Sequence, residues 1–205
     1  MALEACDLEF RYPSGSRVLR YPALRVEPGE RVALVAPSGA GKTTLCQLLA
    51  GYLVPARGTV FVDGEPLASV TSLRGAASPV QLLPQHPELA FDPRMRMGAS
   101  LGEVRTTRDV SELCRTFGIR DAWLSRLPRE LSGGELMRFA FVRALACAPR
   151  YLVADESTAM LDTVTQAELW RVLLELQERD GWGMVLVSHS PSLVSRVATR
   201  RVELG

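Results

Sequence analysis

Hydrophobic residues recur in this chain with two different spacings, and each spacing predicts a different kind of element. Short apolar runs bounded by turn residues predict buried strands, at 32–36, 80–85, 151–156 and 184–190. Apolar residues at helical spacing predict helices between them, at 42–50, 111–119, 133–147 and 165–179. Three further strands are predicted outside these pairs, at 3–10, at 57–67 (with the hairpin signal Asp63-Gly64) and at 199–204.

The order of these elements predicts an α/β fold made of one domain. Strands that alternate with helices favour a buried parallel sheet, whereas 3–10 and 57–67 favour an antiparallel β subdomain beside it. The region from 86 to about 130 contains prolines, glycines and only short helical patterns. We therefore expect a core formed by 1–85 and 145–205, with a small α-helical insert at about 86–144.

The stretch from Arg31 to Ala50 predicts a phosphate-binding loop between a strand and a helix. It contains the pattern GxxxxGK[ST] except that Ala36 stands at the first glycine position, where the strand ends. Glycines let backbone N–H groups turn toward a triphosphate, and the helix N-terminus adds a positive dipole end. We expect Lys42 to reach the β- and γ-phosphates and Thr43 to bind Mg²⁺. The candidate nucleotide-binding residues are Ala36, Pro37, Ser38, Gly39, Ala40, Gly41, Lys42, Thr43 and Thr44.

A second glycine-rich segment precedes the helix that is predicted to end near Cys147. Its residues are Leu131, Ser132, Gly133, Gly134 and Glu135. Ser132 is a good N-cap, and Glu135 three residues later completes a capping box. The alternative is a helix start with ordinary caps, but two glycines here also make a second helix end that can receive an anion.

Polar residues end three of the predicted buried strands. Gln85 ends the second run, Asp155 and Glu156 end the third, and His189 ends the fourth. Parallel strands present their chemistry at their carboxyl ends, and paired acids there suit a magnesium partner together with a general base. Because adjacent strand residues point in opposite directions, we expect Asp155 and Glu156 to take these two different roles. A lone histidine is often structural, but at this edge an active-site role is favoured.

Composition excludes several other classes of protein. The chain has 205 residues, and a formal charge of +1 gives no electrostatic footprint for nucleic acid. Four separated cysteines and two histidines make a zinc site improbable. The N-terminus is acidic where a signal peptide would be basic, and no apolar run could span a bilayer. We expect a soluble, cytoplasmic protein that reaches a membrane through a partner.

Taken in order, the motifs resemble the ATP-binding subunits of ABC transporters, and the resemblance covers essentially the whole chain. They are the phosphate-binding loop at 36–44, Gln85, LSGGE at 131–135, YLVADE at 151–156, Asp162 and His189. The resemblance implies a RecA-like P-loop NTPase core, an ATPase activity and Mg²⁺ as cofactor.

The resemblance also implies a role for each matching residue. Tyr12, an aromatic residue just before a predicted turn at 13–15, would stack on adenine, although locally it reads equally as a turn tyrosine. Gln85 would touch Mg²⁺ and relay the nucleotide state, and Asp155 would be the magnesium-associated acid. Glu156 would be the general base and His189 the switch residue near the γ-phosphate.

Partners follow from the resemblance as well. The family's ATPases are head-to-tail dimers, so LSGGE would close on the nucleotide of a second, identical or paralogous, ATPase subunit, and Asp162 would cross the interface. Membrane permease subunits and a solute-binding protein would complete the transporter, with this chain peripheral on the inner face of the membrane. The segment QHPELAFDPRM at 85–95 is similar to that of dipeptide, nickel and opine importers, which favours import of peptides, nickel or metal chelates.

Three alternatives remain at this point. An ABC ATPase of an exporter or lipoprotein-release system would carry the same motifs. An ABC ATPase of DNA maintenance would place a long coiled coil between the phosphate-binding loop and LSGGE, and no heptads occur there. A P-loop kinase for a small metabolite would have no use for LSGGE.

Overall fold

Two sheets and seven α-helices form the fold in the computed structural model, which describes residues 1–13, 17–73, 77–104, 106 and 108–204. The strands are β1 (Leu3–Phe10), β2 (Leu19–Arg20), β3 (Leu24–Val26), β4 (Arg31–Val35), β5 (Arg57–Val62), β6 (Glu65–Pro66), β7 (Val80–Leu83), β8 (Tyr151–Asp155), β9 (Gly183–Val187) and β10 (Arg200–Glu203). The helices are α1 (Lys42–Leu49), α2 (Met97–Gly102), α3 (Val110–Thr116), α4 (Asp121–Leu124), α5 (Gly133–Ala146), α6 (Thr163–Asp180) and α7 (Pro191–Val197). Short 3₁₀ turns lie at Val70–Ser72, Pro87–Ala90 and Pro128–Glu130.

The larger part of the core is a parallel five-stranded sheet with the order β10-β4-β9-β8-β7. Every neighbouring pair in it is parallel, and β8 and β9 are buried along their whole length. The register places Ala154 beside Leu83 and Asp155 beside Val187. The carboxyl ends of β7, β8 and β9 therefore meet at one edge, and the residues that follow them are neighbours.

The second sheet is antiparallel and is organised around β1, which pairs with β2, β3 and β5, while β5 pairs with β6. β1 and β5 approach closely at Gly58, where a Cβ would lie 2.3 Å from the carbonyl oxygen of Cys6. Only glycine fits there, and its φ of 84° is one that glycine adopts readily. The expected antiparallel β subdomain beside a parallel core is confirmed, although β3 had not been predicted.

Successive residues of the parallel sheet point to two separate hydrophobic cores. Leu152 and Ala154 of β8 belong to a core shared with α5 and α6, whereas Tyr151 and Val153 belong to one shared with α1 and the antiparallel sheet. This alternation explains why the strand sequences are apolar without a break, since both faces are covered.

The predicted parallel strands are real, but each ends earlier than the sequence indicated. β7 stops at Leu83, β8 at Asp155 and β9 at Val187. Gln85, Glu156 and His189 therefore lie in the connections after the strands rather than at their last positions. Helix α6 is longer than predicted and begins at Thr163 because Asp162 caps it.

The predicted division of the chain into a core and a helical insert at about 86–144 stays a prediction. Residues 14 and 15 of the predicted turn at 13–15 lie outside the part that the structure describes. Within the described residues, no helix is both long and apolar enough to cross a membrane.

Candidate functional site

A cleft of about 330 Å³ opens at the carboxyl end of β4, where the phosphate-binding loop turns into α1. All of its lining residues except Leu19 are predicted site residues. The lining consists of Tyr12, Leu19, Ser38, Gly39, Gly41, Lys42, Thr43, Thr44, Glu156 and His189. The fold thus joins residues from the start, the middle and the end of the chain in one place.

The turn into α1 depends on Gly41. Its φ of 88° is left-handed, and a Cβ there would lie 2.7 Å from the hydroxyl oxygen of Tyr21. That hydroxyl donates a hydrogen bond of 2.9 Å to the Gly41 carbonyl oxygen. Burial raises the pKa of Tyr21 to about 12, so the hydroxyl keeps its proton at neutral pH. The Tyr21 hydrogen bond therefore supports the loop, whose residues Ser38, Gly39 and Gly41 line the cleft.

Lys42 lies within the loop, and its side chain is largely buried. Its ammonium donates to the carbonyl oxygens of Ala36, at 2.8 Å, and Pro37, at 3.1 Å. An ammonium has three donors, so one more is left for an anion in the cleft. Ala36 follows the last residue of β4, and the loop closes around Lys42 with alanine at the first glycine position.

Tyr12 lies at the side of the cleft. Its hydroxyl shares a 3.0 Å hydrogen bond with the Thr44 hydroxyl, and its ring meets Phe10 edge to face with the centroids 4.8 Å apart. The side chain is 43% exposed, so aromatic surface is available beside the phosphate-binding loop. Stacking on adenine stays a prediction.

Glu156 is the centre of a three-residue cluster at the sheet edge. One carboxylate oxygen lies 2.8 Å from Nε2 of His189, and the other accepts from Nε2 of Gln85 at 3.3 Å. Gln85 follows β7 and His189 follows β9, and these two strands flank β8 in the sheet. Because an ionised carboxylate can only accept hydrogen bonds, the contact assigns a proton to Nε2 of His189.

The expectation that Asp155 and Glu156 are successive residues of one strand is wrong. β8 ends at Asp155, and Glu156 adopts a left-handed backbone with φ of 48°. Its N–H donates to the carbonyl oxygen of Val187 at 3.1 Å. The two carboxylates are thus separated by a turn of the backbone and not by strand alternation.

Asp155 is buried, with 4% of its surface exposed. Its Oδ1 has no hydrogen-bond partner among the residues that the structure describes. Burial raises the pKa of Asp155, and the charge of Glu156 adds to this, whereas the Thr43 hydroxyl and the Lys42 ammonium act to lower it. An unsatisfied buried carboxylate oxygen is costly and calls for a cation or its water.

The LSGGE segment forms the predicted capping box at the start of α5. The Ser132 N–H donates to Oε2 of Glu135 at 2.8 Å, and the Glu135 N–H donates to the Ser132 hydroxyl at 3.3 Å. Ser132 and Gly133 are exposed, and in the described part of the chain the segment does not line the cleft. The two anion-receptive helix ends are therefore separate within one chain.

Asp162 has a local role that the structure shows directly. It is exposed, and one of its carboxylate oxygens accepts from the N–H groups of Val164 and Thr165 at the start of α6. The bonds from Thr165 lower the pKa of Asp162. A contact across a dimer interface is a further expectation for the same residue.

The four cysteines are free thiols, and among the described residues no group of three or more His, Cys, Asp or Glu side chains could hold a metal ion.

Comparison with known proteins decides the family. The family model described as ABC transporter matches residues 19–159. The chain belongs to the ABC transporter family. As an ATP-binding subunit of this family, its activity is ATP hydrolysis, as the resemblance of its motifs implied.

Individual relatives agree with this assignment. The chain is 37% identical over 207 residues to the energy-coupling factor transporter ATP-binding protein EcfA of Methanothermobacter thermautotrophicus, an alignment that covers 97% of this chain and 66% of that protein. It is 35% identical over 195 residues to the nickel import ATP-binding protein NikE of Escherichia coli K12, covering 89% of this chain and 73% of NikE.

Solved structures of ABC cassettes have the same fold. MJ0796, a bacterial ABC transporter cassette solved as a dimer, superimposes with a TM-score of 0.82 at 23% identity over 98% of this chain and 94% of its own. CbiO1 of Clostridium perfringens, part of the transporter complex cbiONQ, has a TM-score of 0.78 at 23% identity, over 98% of this chain and 84% of its own. The expected α/β P-loop NTPase fold is confirmed.

Sequence reasoning missed several residues that shape the site. Tyr21 supports the phosphate-binding loop, and Leu19 lines the cleft, yet both lie in short segments without a clear periodic signal. Thr158, Gln166 and Trp170 form a hydrogen-bonded cluster in which Thr158 and Trp170 are buried. Nothing in their local sequence indicates that contact, because it joins a loop to the second turn of a helix.

Proposed function

We propose that this chain is the ATP-hydrolysing motor subunit of an ABC importer for nickel, peptides or metal chelates. The cluster of Gln85, Glu156 and His189 beside the phosphate-binding loop carries the proposal, because it places a candidate base and two hydrogen-bond donors where a γ-phosphate would lie. Import is supported by the name of NikE, a nickel import ATP-binding protein, and by the resemblance of residues 85–95 to importers.

The residues around the loop fit a magnesium-bound nucleotide. The Thr43 hydroxyl, the Gln85 amide oxygen and the Asp155 carboxylate would hold Mg²⁺, and all three supply the oxygen ligands that this ion prefers. The buried Oδ1 of Asp155, which lacks a partner in the described chain, fits a position next to the ion or to its water. Magnesium would neutralise phosphate charge, and Lys42 would bind the β- and γ-phosphates.

Hydrolysis then depends on the sheet edge. Glu156 accepts a proton from the attacking water or orients it in line with the γ-phosphate. His189 donates to the Glu156 carboxylate and thereby fixes its orientation, and its exposed ring can also contact the γ-phosphate. Gln85 donates to the same carboxylate, so it links the candidate general base to the segment that follows β7.

A second ATPase subunit completes each nucleotide site. The segment Leu131–Glu135, in which Ser132 and Gly133 are exposed, would close on the nucleotide of the partner, and Asp162 would lie at the interface. This assignment is supported by the separation of the segment from the cleft in its own chain. It is also supported by the dimer in which the cassette MJ0796 was solved.

A permease would bind a groove of about 440 Å³ between the parallel core and the segment after Gln85. The groove is lined by side chains of α5, of β7 and of the 3₁₀ turn at Pro87–Ala90. Leu89 in this turn is 77% exposed and Tyr52 on the opposite side is 55% exposed, an apolar pair suited to a partner helix. Through this contact the chain would be peripheral on the cytoplasmic face of the membrane, with a solute-binding protein on the other side.

Transport by the reconstituted complex tests the proposal. The chain is co-expressed with candidate permease subunits from the same organism, and uptake of labelled nickel and of a labelled dipeptide is measured in proteoliposomes with ATP on the cytoplasmic side. ATP-dependent movement toward that side supports the importer. Movement away from it would instead support an exporter or lipoprotein-release system, which shares the same ATPase motifs.

A further inference from the structure

Thr158 is a buried residue two positions after Glu156, and helix α6 supplies three hydrogen bonds to it. The indole N–H of Trp170 donates to its hydroxyl at 2.9 Å. The side-chain amide of Gln166 donates to the same hydroxyl and to the Thr158 carbonyl oxygen, both at 3.0 Å. Thr158 is 2% exposed and Trp170 is 5% exposed, so water cannot easily replace these bonds.

The same threonine is a central residue of the turn that begins at Glu156. The Ala159 N–H donates to the Glu156 carbonyl oxygen at 2.9 Å and closes this turn. The Leu161 N–H donates to the Thr158 carbonyl oxygen at 3.2 Å. Since Asp162 caps α6, the segment 158–162 is fastened to this helix at both of its ends.

This attachment matters because the backbone at Glu156 is in an unfavourable conformation. A left-handed φ of 48° is disfavoured for a residue with a side chain, and it persists only where the surroundings determine it. The Glu156 N–H is held by Val187 of β9, and its carbonyl oxygen is held by the turn through Thr158. The bonds from α6 to Thr158 fix that turn.

We propose that Thr158, held by Trp170 and Gln166, is a positioning residue for hydrolysis, which keeps the Glu156 carboxylate directed at His189 and at the attacking water. This inference rests on the proposed role of Glu156 as general base. Thr158 acts through the backbone of Glu156 and does not touch the reacting atoms. Loss of its hydroxyl should let the turn move, and a displacement of about 1 Å at a catalytic group can cost up to about a hundred-fold in rate.

Four variants of the full-length protein test the proposal: Thr158→Val, Thr158→Ser, Trp170→Phe and the double variant Thr158→Val/Trp170→Phe. Valine has nearly the same shape as threonine but leaves the Trp170 donor buried without a partner, which lowers stability by itself. The double variant removes the indole donor together with the hydroxyl that accepts from it, so its loss of thermal stability should be smaller than the sum of the losses in the two single variants. Steady-state ATPase kinetics are measured well below the melting temperature of each variant, together with ATP binding.

In the positioning role, Thr158→Val lowers kcat about ten- to a hundred-fold with KM for ATP nearly unchanged. Thr158→Ser keeps the hydroxyl and stays near parental kcat, and the double variant regains melting temperature relative to the sum of the two single variants but does not regain kcat. A double variant that regains both overturns the proposal, because the contact then only stabilises the fold. So does a Thr158→Val variant with parental kcat, or a double variant whose kcat falls only in step with its melting temperature.

Glu156→Gln in the same assay separates this inference from the proposed function. If that variant hydrolyses ATP at the parental rate, the general-base assignment itself is wrong, and the positioning role falls with it. If Glu156→Gln is inactive while Thr158→Val is fully active, the proposed function stands and only the role of Thr158 is rejected.

Discussion

Replacing Glu156 by glutamine removes the candidate general base while keeping nearly the same shape. A carboxylate can take a proton from water, whereas an amide cannot. General-base assistance contributes about a hundred- to ten-thousand-fold to a rate, which corresponds to about 2.7–5.4 kcal/mol in the barrier. We expect hydrolysis to fall by that factor and ATP affinity to stay near the parental value.

The effect on folding should be smaller, and the structure shows why. The carboxylate now accepts from His189 at 2.8 Å and from Gln85 at 3.3 Å. A glutamine oxygen can keep one of these bonds, while its NH₂ group meets a donor. A hydrogen bond to a charged group contributes about 1.5–3 kcal/mol, and the exposed His189 ring can turn to water instead, which reduces the loss. The increase in the activation barrier of hydrolysis is therefore larger than the decrease in the free energy of unfolding.

Phosphate release, ATP binding and size-exclusion chromatography with and without Mg-ATP measure the three consequences. Because the closed dimer would open only after hydrolysis, Glu156→Gln should accumulate as an ATP-bound dimer. The matched control is Glu175→Gln, which removes an exposed carboxylate on α6 that is paired with Arg171 at 2.7 Å. It should keep parental activity.

Two results would refute the reasoning. If Glu156→Gln stays monomeric with ATP and still hydrolyses it, Glu156 is not the general base. A variant that no longer binds ATP would show that Glu156 is a structural acid of the cleft.

Three further predictions concern other parts of the molecule. Lys42→Ala should weaken ATP binding about ten- to a hundred-fold, measured by calorimetry, because a charge-assisted hydrogen bond to phosphate is lost; unchanged affinity would contradict the phosphate-binding loop assignment. Leu89→Asp should reduce copurification with the permease and ATP-driven transport about ten-fold, while the isolated chain still binds nucleotide; loss of nucleotide binding as well would make this turn part of the fold only. Burial raises the pKa of Asp155, so the folded chain binds its proton more tightly than the unfolded chain, and stability is lost as pH rises from the usual aspartate range through the raised pKa. Asp155→Asn should therefore raise Tm of the nucleotide-free protein at pH 7 and make ATPase activity less responsive to Mg²⁺; a lower Tm would show that the charged carboxylate stabilises the fold.

Local sequence was sufficient for the elements whose structure depends on neighbours along the chain. The phosphate-binding loop needed glycine at 41 and a helix start at Lys42, and both are present. The Ser132–Glu135 capping box uses groups three residues apart, so its geometry follows from the helix itself. The family was also recognisable, because its motifs are short, ordered segments.

Only the tertiary structure decided how the sheet edge is assembled. Gln85 and Glu156 are 71 residues apart, and the parallel order of β7, β8 and β9 brings them together. The left-handed backbone of Glu156, which overturned the simple strand alternation, is determined by Val187 and by the turn through Thr158. Such a conformation is unfavourable for an isolated segment, and it is stable only because distant residues supply its hydrogen bonds. Sequence patterns report local preferences. At Glu156 the long-range contacts oppose the local preference and determine the backbone conformation.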